Sequence, residues 1–268
     1  MRADRLRLLA GLALALWLVL PLIPLAIWSV AHGWRFPALL PNDWSLQAWR
    51  YALSDRAGVL SSFGLTLLIA LATTALAVLI GVPAGRALGL HRFRGKTAVV
   101  LLLLAPAILP GIALVLGLHG IFLRLGLAGT VPGVILAHLI PALPYMTLVM
   151  AATFATFDTR LEEQARSLGA GRLQCLWHVT LPAILPGLIT GALFTFLVSW
   201  SQYLLTLAIG GGRVQTLPLL LYSFATSGRN DVTGAIALLY ILPGLALLVI
   251  TTRWVTGRGP GLSEGARL

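Results

Sequence analysis

The chain has 268 residues, 58% of them hydrophobic and only 10% charged, with a formal net charge of +11. A soluble globular domain is about 45–50% apolar and about 25% charged, so this composition excludes a disordered chain, a disulfide scaffold and almost every class of soluble enzyme. With one cysteine, Cys175, the chain cannot form an internal disulfide. The composition therefore predicts a protein that presents apolar surface to a membrane.

Six stretches are long and apolar enough to cross a bilayer, since a spanning helix needs about 20 mostly apolar residues. In chain order they run from Leu8 to about Ala31, about Val59–Leu88, Ala98–Leu118, Thr130–Phe154, about Leu185–Ile209 and about Val232–Val255. The first exceeds the about 7–15 apolar residues of a signal peptide, so we expect a retained helix, with a cleaved signal as the alternative. The predicted fold class is an all-α membrane protein with six transmembrane helices, in one integral-membrane domain over residues 1–268.

The basic residues predict an orientation. Thirteen of the 19 Lys and Arg lie in the N-terminus, the 86–96 loop, the 155–182 loop and the C-terminal tail, and six lie in the other loops. Cytoplasmic loops carry an excess of Lys and Arg, so both termini are predicted to be cytoplasmic. No basic patch with interleaved aromatic residues is present, so we expect membrane lipid around the chain and no nucleic-acid partner.

Prolines lie inside two successive predicted spans. They are Pro106, Pro110, Pro132, Pro141 and Pro144. Breaks in a spanning helix survive only where protein or a water-filled cavity satisfies the freed backbone groups. Two broken helices in succession favour a bundle with an internal pathway, and simple kinks for packing are the alternative.

One loop, residues 158–182, predicts ordered structure between two spans. Thr159 and Glu162 have the spacing of a capping box, and Glu162 and Arg166 are spaced for an i,i+4 ion pair. Gly169 is expected to end this first short helix in a left-handed conformation. A second short helix follows over about Arg172–His178, and Pro182 opens the next span.

The result is a helix–Gly–helix elbow on the cytoplasmic face. A surface loop lying on the lipid headgroups is one interpretation. The other is a knob that inserts into a groove of a partner protein. The small residues at the apex permit close approach of another backbone and favour the partner; they are Ala165, Gly169, Ala170 and Gly171.

The elbow also carries a family signature. Glu163-Gln164-Ala165, then Gly169, then Val179-Thr180-Leu181-Pro182 resembles the cytoplasmic signature of permease subunits of binding-protein-dependent ABC importers. That signature begins Glu-Ala-Ala, so Gln164 is a departure at its middle position. The similarity covers about residues 55–255 and is closest to the subgroup of polyamine, thiamine and ferric-ion permeases. Further matching segments are Leu104-Ala105-Pro106, Leu109-Pro110, Ala137-His138, Leu143-Pro144, Gly210-Gly211-Gly212 and Thr216-Leu217-Pro218.

The resemblance implies a type I ABC importer permease in the bacterial inner membrane that is not itself a catalyst. It implies that ABC ATPase subunits bind the ATP and contact the elbow, and that the chain has no cofactor of its own. The implied contact residues are Glu163, Gln164, Ala165, Gly169, Leu181 and Pro182. A second permease, either another chain or a second copy, and an extracytoplasmic substrate-binding protein would complete the importer.

The densest polar and aromatic cluster inside a span runs from Ser199 through Trp200, Ser201 and Gln202 to Tyr203. Interhelical hydrogen bonding and lining of the translocation path both remain open for it. His138, in the fourth stretch, is a further candidate for the path, although a lone His is more often bonded to a neighbouring helix. Related permeases often carry acids at positions 201 and 202, which weakens a polyamine or ferric-ion assignment.

The sequence lacks the motifs that are typical of other functional classes. No G-x-x-x-x-G-K-[ST] loop, His-Glu-x-x-His or Gly-x-Ser-x-Gly motif is present, which argues against ATP binding by this chain and against an enzyme. A stand-alone secondary transporter is the alternative function, and it would usually need ionisable residues inside its spans and internal repeats. The prediction is therefore the permease subunit of an ATP-driven importer, for a small polar solute such as a polyamine or a thiamine-like compound.

Overall fold

The computed structural model describes residues 9, 11, 13–14, 16–17, 19–34, 38 and 40–255. The helices are numbered α1 to α12 in chain order. They are α1 Leu22–Val30, α2 Gln47–Ala52, α3 Val59–Leu90, α4 Lys96–Ile108, α5 Gly111–Arg124, α6 Val131–Ala155, α7 Arg160–Ser167, α8 Arg172–Cys175, α9 Leu181–Trp200, α10 Leu204–Gly210, α11 Leu217–Thr226 and α12 Asn230–Val255. A 3-10 turn, Asp55–Ala57, precedes α3, and a π-helical turn, Leu176–Thr180, joins α8 to α9.

Among the described residues, four helices are long and apolar enough to cross a membrane. They are α3, α6, the continuous stretch Arg172–Trp200, and Asn230–Thr252 of α12. The bent pair of α4 and α5 makes a fifth if it is counted as one span. The all-α membrane fold is thus confirmed. The first predicted stretch lies partly outside the described residues, so the count of six stays a prediction.

The third predicted stretch is broken at its prolines, as expected, whereas the fifth is wrong as a single continuous helix. The third predicted stretch bends by 103° between Ile108 and Gly111, where Pro110 lacks the N–H that would continue the helix. The fifth is interrupted at residues 201–203, which separate α9 from α10.

The prediction of a second broken helix directly after the third stretch is also wrong. Helix α6 runs without interruption through Pro141 and Pro144. A proline inside a spanning helix is tolerated when neighbouring helices and local adjustments satisfy the freed backbone groups. These two prolines therefore lie within a continuous span.

The described chain divides into two compact units, one of which contains residues 65–215 and 244–255. Its helices approach closely at glycines that recur every fourth residue of α3, namely Gly81, Gly85 and Gly89. A Cβ at Gly85 would lie 2.5 Å from the Cβ of Met150 and 2.9 Å from the backbone nitrogen of Ala151. Small residues at such spacing let spanning helices pack backbone to backbone.

Helix α6 also meets glycines of α9. A Cβ at Gly187 would clash with the side chain of Thr153, and one at Gly191 would lie 2.9 Å from the sulfur of Met146. Helix α6 therefore packs closely against glycines of both α3 and α9. The buried side chains that fill this core are Ala77, Met146, Met150, Phe154 and Ile184.

The other unit contains the described residues of 1–64 together with 216–243. In it, strands Ala31–His32 and Asp43–Trp44 pair antiparallel. Gly234 lets the start of α12 approach α1, since a Cβ there would lie 2.6 Å from the carbonyl oxygen of Leu25. Helix α11 is apolar and has Leu217 and Leu220 buried, but its ten residues are too few to span a bilayer. It lies within residues 210–231, which the sequence predicts as a loop between the last two spans.

Candidate functional site

The elbow turns at Gly169. Helix α7 ends at Ser167, and Gly169 follows with a φ of +89°, the left-handed conformation that glycine adopts at little steric cost. The amide of Gly169 donates to the carbonyl of Arg166 at 3.0 Å, and that of Ala170 to the carbonyl of Ala165 at 3.0 Å. Apart from its chain neighbours, no atom of the described residues lies within 4 Å of a Cβ built at Gly169, so the tip of the elbow faces open space.

Exposed apolar side chains flank this tip along the chain. Leu168 is 89% exposed, Leu173 67% and Trp177 59%. Of the signature residues, Glu163, Gln164, Gly169 and Pro182 are exposed, and Ala165 and Leu181 are partly buried. Clustered apolar side chains outside a core mark sites of interaction. The elbow therefore presents the signature beside an apolar surface.

The second arm of the elbow differs from the prediction. A separate helix over about Arg172–His178 is wrong, because α8 continues through the π-helical turn into α9 as one stretch, Arg172–Trp200. Pro182 lies within that stretch, in the first turn of α9. The second arm is therefore the beginning of a span.

The predicted capping box at Thr159 is also wrong. The Thr159 side chain makes no cap hydrogen bond, and the Oδ1 of Asp158 instead accepts from the backbone nitrogen of Arg160 at 3.0 Å. Glu162 cannot complete the box because its carboxylate is engaged elsewhere. The predicted i,i+4 pair with Arg166 is present, at 3.9 Å.

The main partner of Glu162 is Arg86 near the end of α3. Arg86 Nη1 and Nη2 donate to Glu162 Oε1 and Oε2 at 2.7 and 2.6 Å, and Thr180 Oγ1 donates to Oε1 at 2.6 Å. The Arg86 guanidinium holds the pKa of the Glu162 carboxyl below its usual range, since these hydrogen bonds outweigh the opposing effect of burial. Sequence analysis missed this pair because the residues lie 76 positions apart, and no local spacing connects them.

A second polar cluster ties helices together inside the bundle. His138 of α6 is buried; its Nδ1 lies 3.0 Å from Ser199 Oγ and its Nε2 2.8 Å from Thr206 Oγ1. The Thr206 hydroxyl donates to the carbonyl of Gln202 at 2.9 Å. Because the Thr206 hydroxyl proton is used in that bond, Thr206 Oγ1 accepts a hydrogen bond from the Nε2–H of His138. The Nδ1 of His138 then accepts from the hydroxyl of Ser199. His138 thus connects α6 to both sides of the interrupted helix.

The residues predicted for the translocation path fall into two groups. His138, Ser199 and Trp200 are buried within the chain. Gln202 and Tyr203 are partly exposed at the interruption between α9 and α10. Non-helical backbone at membrane depth is tolerated where it is buried in protein or lines a water-filled cavity.

The two interruptions lie beside each other. A Cβ at Gly111, the first residue after the α4–α5 bend, would lie 3.6 Å from Leu204 Cδ1 at the start of α10. The two breaks therefore bring non-helical backbone together at one level of the bundle.

Among the described residues, no group of three or more His, Cys, Asp or Glu side chains could hold a metal ion.

The fold and the elbow define a class, the membrane-embedded permeases. Residues 77–258 match the family described as binding-protein-dependent transport system inner membrane component. The chain belongs to this family. It is accordingly a multi-pass membrane protein and an ABC transporter permease, a non-catalytic subunit, as the resemblance predicted.

Relatives of known assignment cover most of the chain. The spermidine/putrescine transport system permease protein PotC of Haemophilus influenzae is 31% identical over 68% of this chain and 71% of its own length. The sulfoquinovosyl glycerol transport system permease protein SmoH of Agrobacterium fabrum is 29% identical over 95% and 93%. A solved structure of a bacterial ABC transporter involved in the import of alginate superposes with a TM-score of 0.70, at 22% identity, over 95% of this chain and 98% of that one.

Proposed function

We propose that this chain forms part of a translocation path and couples it to ABC ATPase subunits through the elbow of residues 158–182. The observation that carries the proposal is the elbow itself. Its exposed tip, with Gly169 at φ +89° and open space around it, lies on an arm fastened to the bundle through Glu162. A loop that only covered the membrane surface would need no such attachment.

The second arm of the elbow connects the tip to the proposed translocation path. The stretch Arg172–Trp200 is one helix of 29 residues, and at 1.5 Å per residue it extends about 43 Å. It begins at the elbow and ends at the interruption beside Gln202. ATP hydrolysis by the partner subunits would displace the elbow, and the helix would carry that displacement to the path.

Membership of the family supports the partners that we propose. A second permease, an extracytoplasmic substrate-binding protein and the ATPase subunits complete the importer, and the ATP is bound by the ATPase subunits, so this chain needs no cofactor. Gln202 and Tyr203 line the path, while His138, Ser199 and Trp200 hold the interrupted helix behind them. We assign the substrate to small polar solutes such as polyamines or thiamine-like compounds, supported by the relatedness to PotC.

We also propose an orientation of the chain in the membrane. Both termini are cytoplasmic, in the inner membrane, on the strength of the distribution of Lys and Arg. Cysteines introduced singly between Asn42 and Asp55 should react with a membrane-impermeant reagent from outside, and those between residues 158 and 180 only from the cytoplasm. The reverse pattern would overturn the orientation.

Purification and reconstitution test the proposal as a whole. An affinity-tagged chain should bring an ABC ATPase and a second permease out of detergent-solubilised membranes. Vesicles holding that complex should take up labelled putrescine or thiamine only with ATP and the binding protein. Uptake by the chain alone, without an ATPase, would instead show a stand-alone secondary transporter.

A further inference from the structure

Glu162 is the one buried carboxylate among the residues that the structure describes. Its side chain is 7% exposed, whereas Arg166, its neighbour one turn on, is 57% exposed. A buried carboxylate is tolerated only when hydrogen bonds and an opposite charge compensate its lost hydration. Here a bidentate guanidinium and a hydroxyl do so, which makes this point of the elbow a fixed contact.

Two other segments of the chain meet at this carboxylate. Arg86 reaches it from α3, and Thr180 from the turn that leads into α9. The Arg86 guanidinium also lies 5.5 Å from the ring centre of Phe154, near the end of α6. The Sγ of Cys175 lies 3.9 Å from the Glu162 carbonyl oxygen. The first arm of the elbow is therefore attached to α3 and to the root of α9 at one position.

A bidentate Arg–carboxylate pair fixes direction as well as distance, because two parallel N–H···O bonds oppose rotation. The Arg166 contact, exposed and at 3.9 Å, has neither property. A force applied at Gly169 therefore reaches α3 through the Arg86 pair as directly as it reaches α9 along the chain.

We infer that Arg86, Glu162 and Thr180 form an elbow joint, a set of positioning residues that transmits movement of the elbow to α3 and α9 together. The inference rests on the proposed function, since it presupposes an ATPase that moves the elbow. Without the joint, the elbow would still bind its partner through the exposed tip, but its first arm would no longer be attached to α3 or to the root of α9. Its displacement would then reach α9 only along the chain and would not reach α3.

The experiment measures movement of the bundle at residue 201 and does not require the substrate to be known. A Ser201→Cys reporter places a thiol at the interruption of the α9 span, where residue 201 is exposed; native Cys175 is buried and is left in place. The tagged complex, with its copurified ATPase, is reconstituted and labelled with an impermeant maleimide in the presence and absence of ATP and vanadate. The measured quantity is the change in labelling rate per assembled complex.

Three variants are compared in this reporter. Glu162→Gln removes the charge, Thr180→Val removes one hydrogen bond and keeps the ion pair, and the double variant Arg86→Met with Glu162→Leu removes the pair without leaving an unpaired charge. Asp231→Asn is the matched control, because it removes a carboxylate from a more exposed ion pair, Arg229–Asp231 at 3.9 Å. Its labelling should equal that of the parent.

We expect Glu162→Gln and the double variant to keep ATP hydrolysis while the ATP-dependent change in labelling falls about tenfold, within the usual range of coupling energies. Thr180→Val should give an intermediate loss. A full labelling change per complex in the variants, with only the amount of complex reduced, would show a structural role and overturn the inference. A parent complex without any ATP-dependent change would instead contradict the proposed function.

Discussion

Glycine serves opposite purposes in the bundle and in the elbow. In the bundle, Gly85 has a helical backbone, and the space where a Cβ would sit is filled by Met150 and by the backbone of α6. In the elbow, Gly169 has a φ of +89°, and no atom of the described residues other than its chain neighbours lies within 4 Å of that position. The bundle uses glycine to bring helices of one chain together, and the elbow uses it to turn the chain and leave room.

These two uses of glycine predict that substitutions in the bundle lower folding stability, whereas substitutions in the elbow impair coupling to a partner. A side chain added in the bundle must displace backbone atoms that cannot move, so folding itself is affected. A Cβ added at Gly169 meets no atom of the described residues within 4 Å apart from its chain neighbours, so any large effect beyond backbone strain must come from a partner. Substitutions at the two places should therefore give different phenotypes.

The largest effect is expected for Gly85→Ala. Its Cβ would lie 2.5 Å from Met150 Cβ and 2.9 Å from backbone atoms of Thr147 and Ala151, which forces α3 and α6 apart, at a cost of about 1–3 kcal/mol or more. The protein level in membranes and the thermal midpoint should both fall strongly. Gly64→Ala is the control, since it lies in the same helix with nothing within 4 Å and should gain about 0.5–1 kcal/mol of helix propensity.

Gly169→Asp should abolish uptake while the protein remains at normal levels. A left-handed conformation costs a residue with a side chain about 1–2 kcal/mol, and the new charge would enter the proposed ATPase interface unpaired. The ATPase should dissociate from the membrane or hydrolyse ATP without transport. Gly95→Asp is the matched control, because Gly95 has the same φ of +89° and open surroundings; equal damage there would assign the effect to strain alone.

Smaller effects are expected at the interruption of the α9 span. Gln202→Leu or Tyr203→Ala should lower uptake and leave assembly intact, because both side chains are partly exposed beside non-helical backbone. Gln47→Leu, at an exposed position of α2, should leave uptake unchanged. Wild-type rates in both path variants would assign these residues to packing.

The smallest effect is expected for His138→Leu. It removes two interhelical hydrogen bonds, which in membranes average about 0.6 kcal/mol each, so the thermal midpoint should drop slightly and uptake should persist. His119→Leu is the comparison, since the buried Nδ1 of His119 has no hydrogen-bond partner among the described residues. A loss of uptake with His138→Leu at unchanged stability would place His138 in the path itself.

Features set by short stretches of sequence could be predicted. The spans now seen as α3, α6 and α12 were expected within two residues of their bounds, because hydropathy is summed over the span itself. The left-handed turn at Gly169 is also a local property, since few other residues adopt that conformation. These features need no knowledge of neighbouring helices.

Features set by tertiary contacts could not be predicted from the sequence. The capping box failed because Arg86, 76 positions away, binds the carboxylate that the box required. The interruption at residues 201–203 is bordered by tertiary contacts: Thr206 donates to the carbonyl of Gln202, and His138 of α6 is hydrogen-bonded to Thr206. In each case the sequence shows suitable residues, and the partner is known only once the fold brings it near.

Photo-crosslinking from the elbow tests the central claim most directly. A photoreactive p-benzoylphenylalanine replaces Leu168, which is 89% exposed at the tip, and in a separate variant replaces Leu102, which is 75% exposed on α4. In intact membranes, irradiation should link position 168 to an ABC ATPase subunit and should give no such product from position 102. Lipid adducts alone at position 168, or the same ATPase product from both positions, would contradict the assignment of the elbow as the coupling element.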